Sequence, residues 1–246
     1  VIVLRHVTKR FGSHVALDGI SLTVEPGRTH VLLGSSGSGK STILKLVLGL
    51  LRPDAGEVHV DDNLPRSARL AQIGYVVQGG ALYPHLTAAR NVTLPARAAG
   101  WSMERQTSRL QALAALVDLE PELMRRYPHE LSGGQAQRLS LMRALMLDPP
   151  ILLLDEPLGA LDPIIRASLQ NQLVRIFAEL SKTVVLVTHD VREAFVFGAA
   201  ITLLSEGRVV QQGTLADLAH RPADPFVSEF LSAQAPPPEM TRDLGR

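Results

Sequence analysis

The octet Gly34-Ser35-Ser36-Gly37-Ser38-Gly39-Lys40-Ser41 follows the apolar run Thr29-His30-Val31-Leu32-Leu33 and opens a stretch of helical character from Lys40 to Leu50. Strand, glycine-rich loop and helix in that order commit this part of the chain to a parallel α/β unit. Glycines let backbone N–H groups curl around phosphate oxygens, and the helix N-terminus adds partial positive charge. The pattern predicts a phosphate cradle from Gly34 to Ser41, with Thr42 beside it. Lys40 would hold the β- and γ-phosphates as a point charge, and the Ser41 hydroxyl would sit on Mg²⁺. A serine- and glycine-rich turn without a ligand is the plain alternative, and the flanking strand and helix weigh against it.

Farther along, Ile151-Leu152-Leu153-Leu154 ends in Asp155-Glu156-Pro157. A short run that is apolar on both faces and closed by proline reads as a central strand of a parallel sheet. Ligands bind at the carboxyl ends of such strands. Asp155 is thereby placed to hold the Mg²⁺ hydration shell, and Glu156 to orient and deprotonate an attacking water as general base. Two solvated acids at a strand end are common alone, less so beside a phosphate loop.

Between these motifs stands Leu131-Ser132-Gly133-Gly134-Gln135. Ser132 is a good N-cap for a helix from about Gly134 to Leu147, and the glycine pair leaves the helix end bare, open to a phosphate. A second anion-binding helix terminus needs an anion. The candidate is the γ-phosphate of a nucleotide held by another subunit. A phosphate loop alone leaves kinases, small GTPases, helicases and transport motors open, and these three motifs together narrow that list.

With these motifs the chain resembles the ATP-binding cassette family over about residues 1 to 232. The resemblance makes Leu131 to Gln135 the family's signature motif, with Ser132, Gly133, Gly134 and Gln135 contacting nucleotide. It implies that Phe11, in Arg10-Phe11-Gly12, stacks on adenine, where the family more often has tyrosine. Gln78, closing Ile73-Gly74-Tyr75-Val76-Val77-Gln78, matches the glutamine that senses Mg²⁺ and γ-phosphate and couples to a membrane partner. Gly159-Ala160-Leu161-Asp162 matches the loop that links two sites of a dimer, with Gly159 where serine is usual. His189, in Val187-Thr188-His189-Asp190, matches the switch histidine at γ-phosphate. Phe11, Gln78 and His189 taken singly read as a core aromatic, a polar residue leaving a strand and a loop histidine. His189 does follow the apolar run Thr183 to Val187, which sets it at a strand's carboxyl end.

Composition agrees with a folded protein. The chain has 246 residues, 46% hydrophobic and 20% charged, with net charge +1. That balance excludes global disorder, and the basic residues are spread along the chain rather than clustered, so nucleic acid is not an expected partner. They are mostly arginine, with lysine only at Lys9, Lys40, Lys45 and Lys182. Cysteine is absent, which removes disulfides, thiolate nucleophiles and cysteine-based zinc sites. Nothing at the start resembles a signal peptide, and no apolar run approaches the ~20 residues that span a bilayer. A pore, if the chain drives transport, belongs to another polypeptide.

The expected fold is α/β: a P-loop NTPase core of mostly parallel sheet flanked by helices, with an N-terminal antiparallel β subdomain and an inserted α-helical subdomain. Residues 1–77 and 149–232 would form the core and β subdomain, starting with short strands and a turn at Glu25-Pro26-Gly27. Residues 78–148 would form the helical insert, with helical spacing at Leu110, Leu113, Ala114 and Val117. Its face near Gln78 to Pro84 would receive a helix of the membrane subunit. A turn at Arg52 to Gly56 leads into Glu57 to Val60. A helix from Pro163 to Leu180 and strands at Ala200 to Leu204 and Arg208 to Gln211 follow. Residues 233–246, with Pro236-Pro237-Pro238, read as a flexible tail.

One phosphate loop and one signature make two half-sites per chain. The resemblance then implies that two copies sandwich two ATP molecules head to tail, on the cytoplasmic face of the plasma membrane, against transmembrane permease subunits and indirectly a solute-binding protein. The stretch Leu158 to Arg166 followed by Leu169-Gln170, together with Tyr75 to Gln78, looks most like the osmoprotectant importer branch, which moves glycine betaine, choline or carnitine. Members often carry C-terminal regulatory domains for which 246 residues leave no length, so that mode of control is not expected. Gly79 and Ala136 depart from common residues of the family. An importer ATPase for an amino acid or sugar is the alternative. A chromosome-organising ATPase would need a long coiled coil, and a translation-associated one two cassettes.

Overall fold

The computed structural model describes residues 1–61, 70–159, 161–197 and 200–234. In it the runs of apolar residues become parallel strands covered on both faces, as continuous Val/Ile/Leu segments require. A six-stranded sheet has the order β5 (Ile73–Val76), β6 (Ile151–Asp155), β7 (Thr183–Thr188), β3 (Thr29–Gly34), β8 (Ala200–Ser205), β9 (Arg208–Gly213). All neighbours are parallel except the β8–β9 hairpin. Side chains alternate between two cores. Val31, Leu33, Leu152, Leu154, Val184 and Leu186 face one, and Leu32, Ile151, Leu153, Val185 and Val187 face the other.

The second core is closed by an antiparallel sheet of β1 (Ile2–Phe11), β2 (His14–Val24) and β4 (Ala55–Val60), and by helix α1 (Lys40–Val47). The first is closed by helices α2 (Ala88–Ala98), α3 (Met103–Leu116), α4 (Gly133–Leu145) and α5 (Pro163–Leu180). Two short 3-10 turns, Pro121–Arg125 and Pro128–Glu130, precede α4. Helix α6 (Val191–Phe197) follows β7, and α7 (Leu215–His220) and α8 (Pro225–Ser232) complete the described chain. Between β5 and β6 all described regular structure is helical. Leu113, Ala114 and Val117 are buried there, with Leu110 packed against them.

Some boundaries differ from the sequence reading. The first two strands are long rather than short, because register shifts between Leu4 and Lys9 absorb the breaks in alternation at Arg5 and His6. His6 itself takes φ 48. The first helix stops at Val47 rather than Leu50, since the chain turns at Gly49 with φ 70. β4 begins at Ala55 and β9 runs on to Gly213. The proline run and residues 235–246 lie outside the described residues, as does Ala160. Gln234, at the edge of the expected tail, accepts a hydrogen bond from the Val191 N–H at 2.9 Å.

His30 on β3 is buried, with Nε2 2.8 Å from the Thr202 hydroxyl on β8. Burial pushes its imidazole from 6.5 down to about 4. A depressed histidine stabilises the fold fully above pH 6.5, and that contribution is lost as pH falls from 6.5 towards 4. At pH 5 the loss is about 2 kcal/mol. Urea unfolding at pH 7.5 and pH 5 checks this: His30→Gln, which cannot titrate, should lose about that much less than wild type over the interval. Equal losses in both would remove His30 as the cause.

Candidate functional site

The phosphate loop leaves β3 in mid-sheet and enters α1, so its backbone is pinned at both ends. Gly39, the N-cap of α1, has φ 101, and a Cβ there would sit 2.7 Å from the Ala16 carbonyl oxygen. Only glycine permits that approach of β2 to the loop. The Lys40 ammonium is buried inside the loop and donates to the Gly34 and Ser35 carbonyls, both at 2.7 Å, with the Ser38 hydroxyl at 3.4 Å. Desolvation pulls its pKa down, while Glu156 and Asp155 pull it back up. Ser36, Gly37, Ser38, Gly39, Lys40, Ser41 and Thr42 line a cavity of 380 Å³ together with Phe11, Gln78 and Glu156. Gly34 and Ser35 lie behind that lining as carbonyl partners of Lys40.

Asp155 ends β6 and is 4% exposed. It accepts from the Ser41 hydroxyl at 3.0 Å and from the Tyr75 hydroxyl at 3.4 Å. Burial raises its pKa, partly countered by those hydrogen bonds and by Lys40. Tyr75 in turn is pushed up to about 12, first by burial and then by the Asp155 charge. Ser41 and Asp155 therefore offer converging hard oxygen donors, the chemistry that suits Mg²⁺.

Glu156 stands one residue on with φ 45, a left-handed conformation that costs a non-glycine residue about 1 kcal/mol. Its N–H donates to the Val187 carbonyl at 3.0 Å. The carboxylate is gripped from two sides: Gln78 Nε2 donates to Oε2 at 3.1 Å, and His189 Nδ1 lies 3.4 Å from Oε1. Residues far apart in the chain, leaving β5, β6 and β7, thus meet at the carboxyl ends of three adjacent strands. Phe11 also lines the cavity, 49% exposed, with the Lys9 ammonium 5.7 Å from its ring centroid.

Ser132, Gly133, Gly134, Gln135 and Asp162 line none of this cavity. They form a second patch. Ser132 caps α4 by accepting from the Gln135 N–H, and the Gln135 side chain accepts from the Ser132 N–H at 2.9 Å. Asp162 caps α5 through the Ile164 and Ile165 N–H groups at 3.1 and 3.0 Å. The bareness expected of the glycine pair has a second cause here. A Cβ on Gly134 would lie 2.6 Å from Ile165 Cγ2, so a side chain there would force Ile165 of α5 to move.

His14, Ala16 and Tyr75 are neighbours of the site that sequence reasoning left without a role. His14 lies opposite Phe11 across the β1–β2 hairpin, a pairing legible from the Gly12-Ser13 turn. Tyr75 alternates with the buried Gly74 and Val76 on β5.

The chain matches the profile of the ABC transporter family over residues 17–159. It is 42% identical over 235 residues to the glycine betaine uptake system ATP-binding protein YehX of Escherichia coli (strain K12), covering 94% of this chain and 76% of that protein. It is 40% identical over 240 residues to the choline transport ATP-binding protein OpuBA of Bacillus subtilis (strain 168), covering 95% of this chain but only 63% of that one, less than two thirds of its length. A bacterial ABC transporter cassette solved as a dimer superposes with a TM-score of 0.79 at 36% identity, over 87% of this chain and 99% of that one. The profile covers more than half the chain and the sequence identity runs along nearly all of it; the chain belongs to the ABC transporter family.

Proposed function

We propose that the chain is the ATP-hydrolysing subunit of an importer for osmoprotectants such as glycine betaine or choline. The observation that carries the hydrolytic part is the grip of Gln78 and His189 on Glu156 beside the Lys40 loop. Phe11 stacks on adenine, and the loop amides with Lys40 hold the β- and γ-phosphates. Ser41, Asp155 and Gln78 hold Mg²⁺, which neutralises phosphate charge when bound. Glu156 takes the proton of the attacking water, and His189 contacts the γ-phosphate.

The patch of Ser132 to Gln135 and Asp162 serves the nucleotide of a second copy, in a head-to-tail pair closed by two ATP molecules. Binding and loss of the γ-phosphate supply the differential affinity that a switch needs. Among the described residues no helix is long and apolar enough to cross a membrane. Permease subunits form the path, and the chain docks on them from the cytoplasmic face, with a solute-binding protein delivering cargo. The solute follows the relatives' names, because no residue of the site touches it.

Reconstitution tests this reading. Vesicles carrying the chain with its permease and binding protein should take up labelled glycine betaine or choline only with ATP inside. Uptake of sulfate, an amino acid or a sugar instead would refute the choice of solute while leaving the ATPase standing.

A further inference from the structure

Directly after Gln78 the backbone passes through three successive left-handed residues, Gly79 at φ 72, Gly80 at φ 79 and Ala81 at φ 41. Glycine adopts this region freely and alanine does not, so the run persists only if its surroundings hold it. Helix α4 does the holding. Arg143 Nη2 donates to the Gly80 carbonyl and Nη1 to the Ala81 carbonyl, both at 2.9 Å, and the Ser140 hydroxyl donates to Gly80 as well. Burial lowers the pKa of Arg143. Its fork is committed to two neutral carbonyls rather than to a carboxylate.

The grip has a firm base and a consequence. A Cβ on Gly74 would sit 2.3 Å from the Ala144 carbonyl oxygen, so α4 lies hard against β5, the strand that leads to Gln78. Asn91 fixes the next stretch, accepting from the Tyr83 N–H at 2.7 Å and donating to the Tyr83 and Leu86 carbonyls at 3.0 Å. Beyond the clamp, the Gln78 amide reaches Glu156. Arg143 also lines a largely apolar cleft of 390 Å³ with Tyr75, Val77, Ala81, Tyr83 and Leu94.

We propose that Arg143 is a positioning residue: by fixing Gly79 to Ala81 it sets the Gln78 amide against the Glu156 carboxylate. The inference rests on the reading of Glu156 as the base for ATP hydrolysis. Lysine cannot replace the fork, because one ammonium does not reproduce two divergent hydrogen bonds in plane.

A double-mutant cycle tests it. Arg143→Ala should lower kcat for ATP about tenfold or more while KM changes less than about twofold, the signature of lost alignment rather than lost binding. Gln78→Ala should cost a similar factor, and the double variant should match Gln78→Ala alone, because Arg143 acts through Gln78. Should Arg143→Ala fail to fold, Arg143→Lys replaces it, with a smaller kcat loss that likewise vanishes in the Gln78→Ala background. Wild-type kcat in the Arg143 variants, or losses that multiply in the double variant, would overturn the proposal. Failure of the underlying reading would show separately, as a wild-type protein that releases no phosphate or a Glu156→Gln variant that turns over normally.

Discussion

Glu156→Gln should still bind ATP, release phosphate at least about a hundredfold more slowly than wild type, and accumulate as an ATP-bound dimer. Glutamine keeps the size and one oxygen of glutamate but cannot accept the proton of water. Gln78 and His189 already orient Glu156, so the substitution removes the base with little change to the frame around it. In the proposed shared site, a blocked chemical step would leave the γ-phosphate in place between two copies, and the closed state would persist. A steady-state phosphate assay and size-exclusion chromatography with Mg-ATP are the measurements. Wild-type turnover by the variant would remove Glu156 as the base, and a variant that elutes as a monomer with saturating ATP and permease present would refute the shared site.

Lys40→Met should sharply reduce hydrolysis at limiting ATP for a different reason, by weakening nucleotide binding itself. The ammonium makes charge-assisted hydrogen bonds worth about 1.5 to 3 kcal/mol each, so the Kd for ATP should rise roughly ten- to a hundredfold. Methionine fills much of the buried volume without the charge. In the protein as described, Lys40 also stitches the loop together through Gly34 and Ser35, so part of the loss comes from a looser cradle. Titration with a fluorescent ATP analogue checks the affinity, and a circular dichroism melt checks that the fold survives. Unchanged affinity would show that backbone amides alone carry the phosphates.

These two variants separate the halves of the site, and the halves differ in how they could be read. The cradle is local. Its strand, loop and helix are contiguous in the chain, and the spacing of glycines to Lys40 follows from backbone geometry that no distant contact has to supply. The strand β6 was legible for a similar reason, since an apolar run as short as Ile151 to Leu154, closed by Pro157, fits a strand covered on both faces. The N-terminal strands were harder, because their bulges at His6 and Gly19 break the two-residue period that marks a strand.

Gln78 and His189 stood in the sequence as isolated polar residues after apolar runs, and only the resemblance to a family gave them roles. Their meeting at Glu156 depends on strand order, with β5, β6 and β7 side by side although the chain between the first two is long and helical. Nor could the sequence say that Gly134 packs directly under Ile165, or that Arg143 reaches from α4 to the loop after Gln78. Such contacts join residues by helix packing, for which no sequence period exists.

What the sequence by itself determined, then, was the parallel α/β core, the glycine-rich loop around Lys40 and the acidic end of β6, because each is written in residues that are neighbours along the chain. What only the tertiary structure decided was the company those residues keep: the two-sided grip on Glu156, the separation of the Ser132 patch from the cavity, and the clamp on Gly80 and Ala81. Those depend on how strands are ordered and how closely helices approach them, which side-chain volumes settle across the whole fold rather than within any one segment.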